Sequence, residues 1–354
     1  MEMRNVTISD IAQALDLSRS TIDRVLNNRG NVAEDTRERV LKYADEVGYR
    51  PNRAAKHLAK RTNCNIGVSY YLPKAFAKQI NQGINAAYEE LHNYGLNILL
   101  RAADSPEEQV LQIEDMAGQI DGLVLAAWEP YLFNDLVDSL IADGIPVVTF
   151  NRDLPDSNRL FYFGCNYYES GRVCADIVGK INSQPGKVAI IGNDQNRTGR
   201  LRVKGFKDVL SKETSLEIIG PYVVSDDFEV KDSISDRVVQ DIREIIRHNS
   251  DLRALYVVNQ TLCAAGKAIE MEGKAGDIKV VGFDLYDEIV SFIEKDIIQA
   301  VVCQEPFNQG YFPVKLLFEF IADGNRIEKE EYITRLEIVM KENLKYYHNF
   351  MHIK

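Results

Sequence analysis

An arginine-rich segment close to the N-terminus has the side chains needed to bind an anion. Residues 19–30 read RSTIDRVLNNRG and contain three arginines among small polar residues. The guanidinium of Arg19 can donate two parallel hydrogen bonds to a guanine base, and the hydroxyls of Ser20 and Thr21 can reach bases or phosphates. The chemistry that this segment could perform is therefore the recognition of a nucleic acid.

A second group of polar side chains is spread along the chain, mostly at points where predicted strands end. Carboxylates and amides can bind neighbouring hydroxyls of a ligand, arginine can hydrogen-bond two oxygens, and aromatic rings can cover C–H surfaces. The polar members are Asn151, Arg152, Asn166, Asn193, Asp194, Arg202, Asn259, Asp284 and Gln304. The aromatic candidates are Tyr70, Tyr71 and Trp128.

These residues also have a simpler interpretation. A polar residue that follows a strand is often only a turn former, and Tyr70 and Trp128 could be part of the core. The sequence contains no GxSxG, HExxH or P-loop motif, and no GxGxxG motif after a strand. The pattern thus favours a site that binds a small molecule over a site that transforms it.

Two short predicted helices position the arginine-rich segment. Thr7 is a good N-cap with Asp10 three residues later, and Ser18 is a second N-cap candidate. Ile22 and Val25 belong to the apolar stripe of the second helix. Two short helices joined by a tight turn form a helix-turn-helix, whose second helix enters the major groove of DNA. The segment VAEDTRERVLKYADEVGY predicts a third helix.

The distribution of charge indicates a separate function for this head. The chain has 354 residues and a formal net charge of -11. Residues 1–61 contain 12 Lys and Arg against 9 Asp and Glu, whereas the remainder contains 30 against 44. A basic head on an acidic body indicates an anionic partner for the head alone.

Composition gives no sign of a membrane, metal or cofactor site. No apolar run approaches the ~20 residues of a membrane helix, and the N-terminus lacks the apolar core of a signal peptide, so we expect a cytoplasmic protein. The five cysteines form no CxxC pair, and buried free thiols are expected. We expect neither a metal nor a cofactor.

After residue 62, β-branched runs alternate with helical patterns. NIGVSYYL, LNILLRAAD and IDGLVLAAW are typical of strands, and the alternation restarts at RLFYFGCN. This βαβα order predicts an α/β fold of two doubly wound lobes, each a parallel sheet covered by helices on both faces. Because ligands of such folds bind at the carboxyl ends of the strands, the cleft between the lobes is the expected binding site.

Residues 6–61 closely resemble the DNA-binding head of the LacI/GalR family of bacterial transcription regulators. The matching segments are TISDIA, S-x-STI-x-RVLN, V-x-E-x-TRERV and GYRPN-x-x-A-x-x-LA. The resemblance implies a helix-turn-helix domain over residues 1–50 and a hinge helix with linker over residues 51–62, in which Leu58 can wedge a minor-groove step. Asp23 stands where the family usually has serine, so the family's usual operator sequence is not carried over.

The DNA-contacting residues expected from the helix-turn-helix pattern and this resemblance extend from the first helix to the hinge. They are Thr7, Arg19, Ser20, Thr21, Arg24, Asn27, Asn52, Ala55 and Leu58. Most are hydrogen-bonding side chains, which suits contacts with phosphates and base edges.

The rest of the chain resembles the periplasmic-binding-protein-like effector domain of the same family. The signatures are DGLVL, GIPVVTFNRD, GRLRVKGFKDVL, VVGFD and IIQAVVCQEPFNQGYFPVKLL. The last one implies a chain that crosses back into the first lobe before it finishes in the second. Within an effector domain of residues 63–354, we expect a first lobe of residues 63–163 and 293–322 and a second lobe of residues 164–292 and 323–348.

Five of the polar residues named above are also implied by the resemblance to be effector contacts, at the positions that match NRD, R-x-x-GF, VVN, GFD and Q-x-P: Arg152, Arg202, Asn259, Asp284 and Gln304. The turn position of Asn166 and the aromatic rings of Tyr70 and Trp128 complete the expected site.

Together these features predict a transcription regulator controlled by a small ligand. We expect a homodimer on a near-palindromic operator in double-stranded DNA, with half-sites about one helical turn apart, and a sugar or sugar derivative in the cleft. The resemblance implies repression of carbohydrate-utilisation genes, and both induction and corepression by the sugar stay open. The alternative is a sugar-binding or sugar-processing enzyme on the same α/β clamshell.

Overall fold

The chain forms two compact units, Met1–Thr62 and Asn63–Lys354. The computed structural model describes residues 6–26, 30, 32–49, 63–128, 130–194, 196–213, 215–224 and 235–347. Four of the residues expected to contact DNA lie outside the described residues: Asn27, Asn52, Ala55 and Leu58. Among the described residues, no helix combines the length and the apolar character needed to cross a membrane.

The first unit is the predicted helix-turn-helix with its third helix. Its elements are α1 (Ile8–Leu15), α2 (Arg19–Leu26) and α3 (Glu34–Glu46). The predicted cap of α1 is confirmed, because the Thr7 hydroxyl accepts a hydrogen bond from the Asp10 amide while the Asp10 carboxylate accepts one from the Thr7 amide at 2.8 Å. The buried residues of the small core are Ile11, Ala12, Ile22, Val25, Val40 and Ala44.

Strands and helices alternate through most of the second unit. Its strands are β1 (Cys64–Tyr70), β2 (Leu96–Ala102), β3 (Gly122–Ala126), β4 (Val147–Phe150), β5 (Tyr162–Gly164), β6 (Gly186–Ile191), β7 (Leu216–Tyr222), β8 (Leu252–Val257), β9 (Lys279–Phe283), β10 (Ala300–Cys303), β11 (Glu331–Ile333) and β12 (Glu337–Val339). Its helices are α4 (Lys74–Leu91), α5 (Pro106–Met116), α6 (Pro130–Ala142), α7 (Tyr167–Ile181), α8 (Arg197–Glu213), α9 (Asp236–His248), α10 (Leu262–Met271), α11 (Asp287–Glu294) and α12 (Pro306–Phe318).

The strands form two six-stranded sheets, which confirms the predicted two-lobed α/β architecture. The first sheet has the order β11-β5-β4-β3-β1-β2 and is parallel throughout. The second has the order β12-β10-β9-β8-β6-β7, with β12 antiparallel to β10. In each lobe, separate apolar clusters fill the two layers between the sheet and its helices. Such strands are buried on both faces, which explains their nearly continuous apolar sequences.

The chain passes between the lobes three times, and two of the passages differ from the boundaries expected at residues 293 and 322. Residues 300–303 form β10, which pairs with β9 in the second sheet. Residues 331–333 form β11, which pairs with β5 in the first sheet. The return to the first lobe therefore follows Cys303, and the final passage follows Ile333. The first passage lies between Gly164 of β5 and Tyr167 of α7, one residue or more beyond the expected boundary between residues 163 and 164.

Glycines bring two helices of the second lobe into backbone contact. A Cβ atom at Gly171 of α7 would lie 2.1 Å from the carbonyl oxygen of Arg202, and one at Gly205 of α8 would lie 2.0 Å from that of Tyr168. The helices can approach this closely only because neither residue has a side chain. Since Arg202 belongs to this crossing, the glycines also fix the position of a candidate ligand-binding residue.

We expect Gly171→Ala to destabilise the protein by about 1–3 kcal/mol, because α8 must move or the methyl group must overlap the Arg202 carbonyl. Helix propensity alone would favour alanine by ~1 kcal/mol. A loss of stability therefore indicates the steric overlap, and a gain indicates that only helix propensity acts. The measurement is the free energy of unfolding from urea titrations. Gly118→Ala is the control, because a Cβ there meets no atom within 4 Å. A stabilised Gly171→Ala protein would contradict the close crossing.

Candidate DNA-binding and ligand-binding sites

The exposed face of α2 carries the side chains expected to contact DNA. Ile22 and Val25 are buried in the core of the first unit, so the opposite face of the helix is left to solvent. Arg19, Ser20 and Arg24 are exposed on α2, and Thr21 is half-buried. A short helix with two exposed arginines and a hydroxyl near its N-terminus can contact phosphates and base edges.

A network of hydroxyl groups organises the start of α2. The Ser18 Oγ accepts a hydrogen bond from the Thr21 amide at 3.1 Å, as predicted for an N-cap. The same oxygen lies 2.9 Å from Ser20 Oγ and 2.8 Å from Thr21 Oγ1. The hydroxyls proposed to read DNA are therefore already oriented by the cap. Thr7 is exposed, and its own hydroxyl is used in the cap of α1.

The second unit contains a cavity between its lobes, which we call the Asp284 cavity. Its volume is about 90 Å³. Asn151 and Arg152 of the first lobe line one side, and Arg202, Asn259 and Asp284 of the second lobe line the other. Gln304 lies where the chain returns to the first lobe and also lines the cavity. All five residues carried over by resemblance thus meet in one place.

Arg202, which lines this cavity, has two nitrogen atoms whose N–H groups have no hydrogen-bond acceptor among the described residues. The side chain is only 5% exposed. Its Nη1 donates to the Val258 carbonyl at 2.8 Å, and the guanidinium lies 3.5 Å from the centre of the Phe283 ring. Among the described residues, its Nε and Nη2 have no partner. Because an unsatisfied buried donor is costly, these two groups are suited to the oxygen atoms of a ligand.

Asp284 provides the complementary acceptors. Its carboxylate accepts hydrogen bonds from Gln304 Nε2 at 2.9 and 3.2 Å and from the Tyr286 hydroxyl at 3.4 Å. Burial raises the pKa of this carboxyl to about 6, although the positive charge of Arg202 acts in the opposite direction. A buried carboxylate with remaining acceptor capacity beside free guanidinium donors can bind a ligand that both donates and accepts hydrogen bonds.

Backbone strain is concentrated where the sheets meet the Asp284 cavity. Asn151 follows β4, Asp284 follows β9 and Glu305 follows β10 after one residue, and their φ angles are 55°, 61° and 54°. Left-handed conformations are uncommon for residues other than glycine and are frequently found at functional sites. Asn151 and Asp284 therefore adopt turn conformations and also line the cavity, so the two interpretations of these residues are compatible.

Sequence reasoning did not identify the residues that hold these side chains in place. Gln309 is fully buried on α12, where its Oε1 accepts from Asn151 Nδ2 at 3.1 Å and its Nε2 donates to the Gln304 carbonyl at 2.6 Å. The hydroxyls of Tyr162 and Tyr167 both donate to the Asn151 carbonyl. A glutamine inside an apolar helix was the one available signal, and nothing in its spacing assigned it to this cavity.

A larger cavity of about 230 Å³, the Trp128 cavity, is lined by three of the predicted residues, Trp128, Arg152 and Asn166. The Arg152 guanidinium lies 3.9 Å from the centre of the Trp128 ring, and the Tyr71 ring lies 4.8 Å from it. Asn166 caps α7, since its Oδ1 accepts from the Glu169 amide at 3.1 Å. Trp128 therefore packs against Arg152 and also lines this cavity, and its contact with a ligand stays a prediction.

Tyr70 differs from the sequence expectation, because it lines neither cavity. The residue is 3% exposed, and its ring packs edge-on against Phe150 with 6.5 Å between centroids. Its hydroxyl donates to Asn81 on α4 at 2.7 Å. The side chain points from the end of β1 into the layer between sheet and helix, and so belongs to the core.

All five cysteines are free thiols, and four of them are buried.

Comparison with known proteins gives a family match for each of the two units. Residues 7–52 match the family of bacterial regulatory proteins called the lacI family, and residues 66–325 match the periplasmic binding protein domain. The chain is 24% identical to catabolite control protein A of Priestia megaterium over 90% of its length and 93% of that protein. It is 23% identical to the ribose operon repressor of Haemophilus influenzae, again over 90% and 93%.

The fold of the second unit also occurs among transport proteins. A solute-binding protein of an ABC transporter from Burkholderia graminis, in complex with D-arabinose, superposes with a TM-score of 0.72 at 23% identity. The superposed region covers 81% of this chain and 98% of the solute-binding protein. The match to both family descriptions, in the expected order along one chain, shows that this protein belongs to the LacI/GalR family of transcriptional regulators.

Proposed function

We propose that this protein is a ligand-responsive repressor that binds operator DNA as a homodimer in the cytoplasm, and that it is not an enzyme. The observation that carries the proposal is the presence, in one chain, of an exposed arginine-bearing recognition helix and of a buried site with unused donors on Arg202. The first can bind DNA, and the second can sense a small molecule. The repressors among its relatives support the direction of control.

The ligand that best suits the Asp284 cavity is a sugar or a close derivative. Two vicinal hydroxyl groups of a sugar can accept hydrogen bonds from Arg202 and donate hydrogen bonds to Asp284. The Phe283 ring, which packs against Arg202, lines the same cavity. Hydroxyl groups satisfy both requirements because each is a donor and an acceptor. The relative that represses a ribose operon and the arabinose-bound structure support this class.

Ligand binding is coupled to DNA binding through the arrangement of the lobes. A ligand that contacts Arg152 of the first lobe and Asp284 of the second favours one relative position of the two sheets. In a dimer, such a shift changes the spacing between the two heads, and the coupling free energy of such systems is typically ~1–3 kcal/mol. Titration of the operator with and without ligand decides between induction and corepression.

Arg19→Ala should weaken binding to the selected operator and reduce discrimination against a changed base pair, by about 1–3 kcal/mol if Arg19 contacts a base edge. The operator is obtained first by selection from random double-stranded DNA with the full-length protein. Binding is then measured by fluorescence anisotropy at several salt concentrations. Arg326→Ala removes the same charge from an exposed position of the second unit and should leave binding unchanged. Equal losses in both variants would refute a specific role for Arg19.

A thermal-melt screen should identify a sugar that stabilises the full-length protein. A ligand at a hundred times its Kd adds ~2.7 kcal/mol to the state that it binds, which gives a measurable rise in Tm. The panel contains monosaccharides, disaccharides, polyols, uronic acids and sugar phosphates. If chromatography showed that the protein converts a stabilising sugar into a new product, the result would support the enzyme alternative. A panel without any shift would refute the sugar assignment and leave the DNA-binding result standing.

Asp284→Asn should abolish ligand stabilisation and yet raise the stability of the ligand-free protein at pH 7.5. The folded-state pKa is raised from 3.8 to about 6, so the folded protein binds more protons than the unfolded chain between these values. Stability therefore falls as pH rises through this window, and the ionised carboxylate costs on the order of 3 kcal/mol above it. Asparagine keeps the acceptor for Gln304 without the charge.

The measurement is urea unfolding of wild type and variant at pH 4 and pH 7.5, with the gain expected only at pH 7.5. Asp251→Asn is the control of opposite sign. Its carboxylate is hydrogen-bonded by Lys187 at 3.1 Å, and the pKa of Asp251 is lowered. That variant should lose stability at pH 7.5. A destabilised Asp284→Asn protein at pH 7.5 would show that burial of the charge is not the dominant effect.

A further inference from the structure

The Asp284 cavity and the Trp128 cavity adjoin each other. Arg152, Tyr167, Asn196 and Thr198 line both of them. Their volumes are about 90 and 230 Å³, and small-molecule sites usually enclose about 300–1,000 Å³. Neither cavity reaches that range alone, whereas the two together do. Of the residues assigned to the ligand above, Arg152 lines both cavities, and Arg202 and Asp284 line only the smaller one.

The lining of the Trp128 cavity is hydrogen-bonding and balanced in charge. Its cations are Arg152 and Arg197, and its anions are Asp153 and Glu331. Arg159 contacts Asp153 at 2.5 and 3.0 Å and does not itself line the cavity. The side chains that line the cavity thus carry two positive and two negative charges, without the excess of cations that would favour an anionic group. The cavity therefore fits a neutral ligand group that is rich in hydroxyls.

The polar side chains of this cavity are combined with aromatic surface. Asn166, Asn196 and Thr198 supply amide and hydroxyl groups, and the rings of Tyr167 and Tyr168 stand beside them. Polar groups that fix orientation next to apolar ring surface are the combination that a sugar ring requires, because the ring has hydroxyl edges and C–H faces.

Arg152 stands at the boundary of the two cavities. Its guanidinium is stacked on Trp128, and its Nη1 lies 3.4 Å from the Trp128 carbonyl oxygen. The side chain is thus held by the wall of one cavity while it lines the other. A ligand that occupies both cavities must pass this guanidinium, which is a hydrogen-bond donor for an oxygen atom that bridges two rings.

We propose that the ligand of this regulator is a neutral disaccharide. One ring binds in the Asp284 cavity, the second ring binds in the Trp128 cavity, and the glycosidic oxygen lies beside Arg152. This inference rests on the proposed function, in which the cleft binds a sugar, and adds the size of that sugar.

The first test compares disaccharides with their own component sugars on the full-length protein. Maltose, cellobiose, trehalose, lactose, melibiose and sucrose are titrated calorimetrically beside glucose, galactose and fructose, with glucose 6-phosphate as the anionic probe. At least one disaccharide should bind ten times or more as tightly as either of its components. A monosaccharide that binds as tightly as every disaccharide would overturn the inference and leave the proposed function intact.

The second test fills the Trp128 cavity. Ile333 lines it and is 49% exposed, so Ile333→Trp can be accommodated by the fold. The variant should remove the advantage of the disaccharide and leave monosaccharide affinity within twofold of wild type. Ile338→Trp is the matched control, because Ile338 is 40% exposed on a neighbouring short strand and lines neither cavity.

The remaining outcomes also decide the question. Equal loss of monosaccharide and disaccharide binding in Ile333→Trp, or equal effects in the Ile338→Trp control, would overturn the second-ring site. Preference for glucose 6-phosphate over every disaccharide would show that the Trp128 cavity takes an anion and would overturn it as well. No binding of any sugar would reject both this inference and the sugar class of the proposed function.

Discussion

The ligand-binding unit depends on keeping two charged side chains, Arg202 and Asp284, buried between its lobes. A buried charge is tolerated only where hydrogen bonds replace the lost water. Arg202 is held by the Val258 carbonyl and the Phe283 ring, and Asp284 by Gln304 and Tyr286. These partners leave donor capacity on Arg202 unused. These incompletely satisfied groups are the basis on which the cleft is proposed to bind a ligand.

The side chains around Arg202 and Asp284 are positioned by a helix crossing that occurs in both lobes. In each lobe two helices cross at reciprocal glycines, Gly171 with Gly205 in the second lobe and Gly83 with Gly310 in the first. The first crossing fixes Arg202 against α7. The second fixes α12, whose Gln309 joins Asn151 to the backbone of Gln304. Close helix packing therefore supports the cleft from both sides.

The candidate sites of the two units are built from different kinds of contact. The head presents exposed side chains on a short helix, and its local hydrogen bonds are made within three residues, as between Ser18 and Thr21. The body uses contacts between residues more than a hundred positions apart, such as Asn151 with Gln309. Local contacts of the first kind can be predicted from capping and spacing, whereas the second kind requires the complete fold.

The helix-turn-helix, the two α/β lobes and the family could all be predicted from the sequence, and the family motifs pointed to five of the polar residues that line the Asp284 cavity. Helix caps, apolar periodicity and motif spacing are local properties, and they carry this information. The three-dimensional packing was needed to show that Tyr70 belongs to the core, that Trp128 packs against Arg152, and that the chain returns to the first lobe after Cys303. These outcomes depend on strand pairing and side-chain direction, which arise when distant segments pack and are not encoded in the spacing of any one segment.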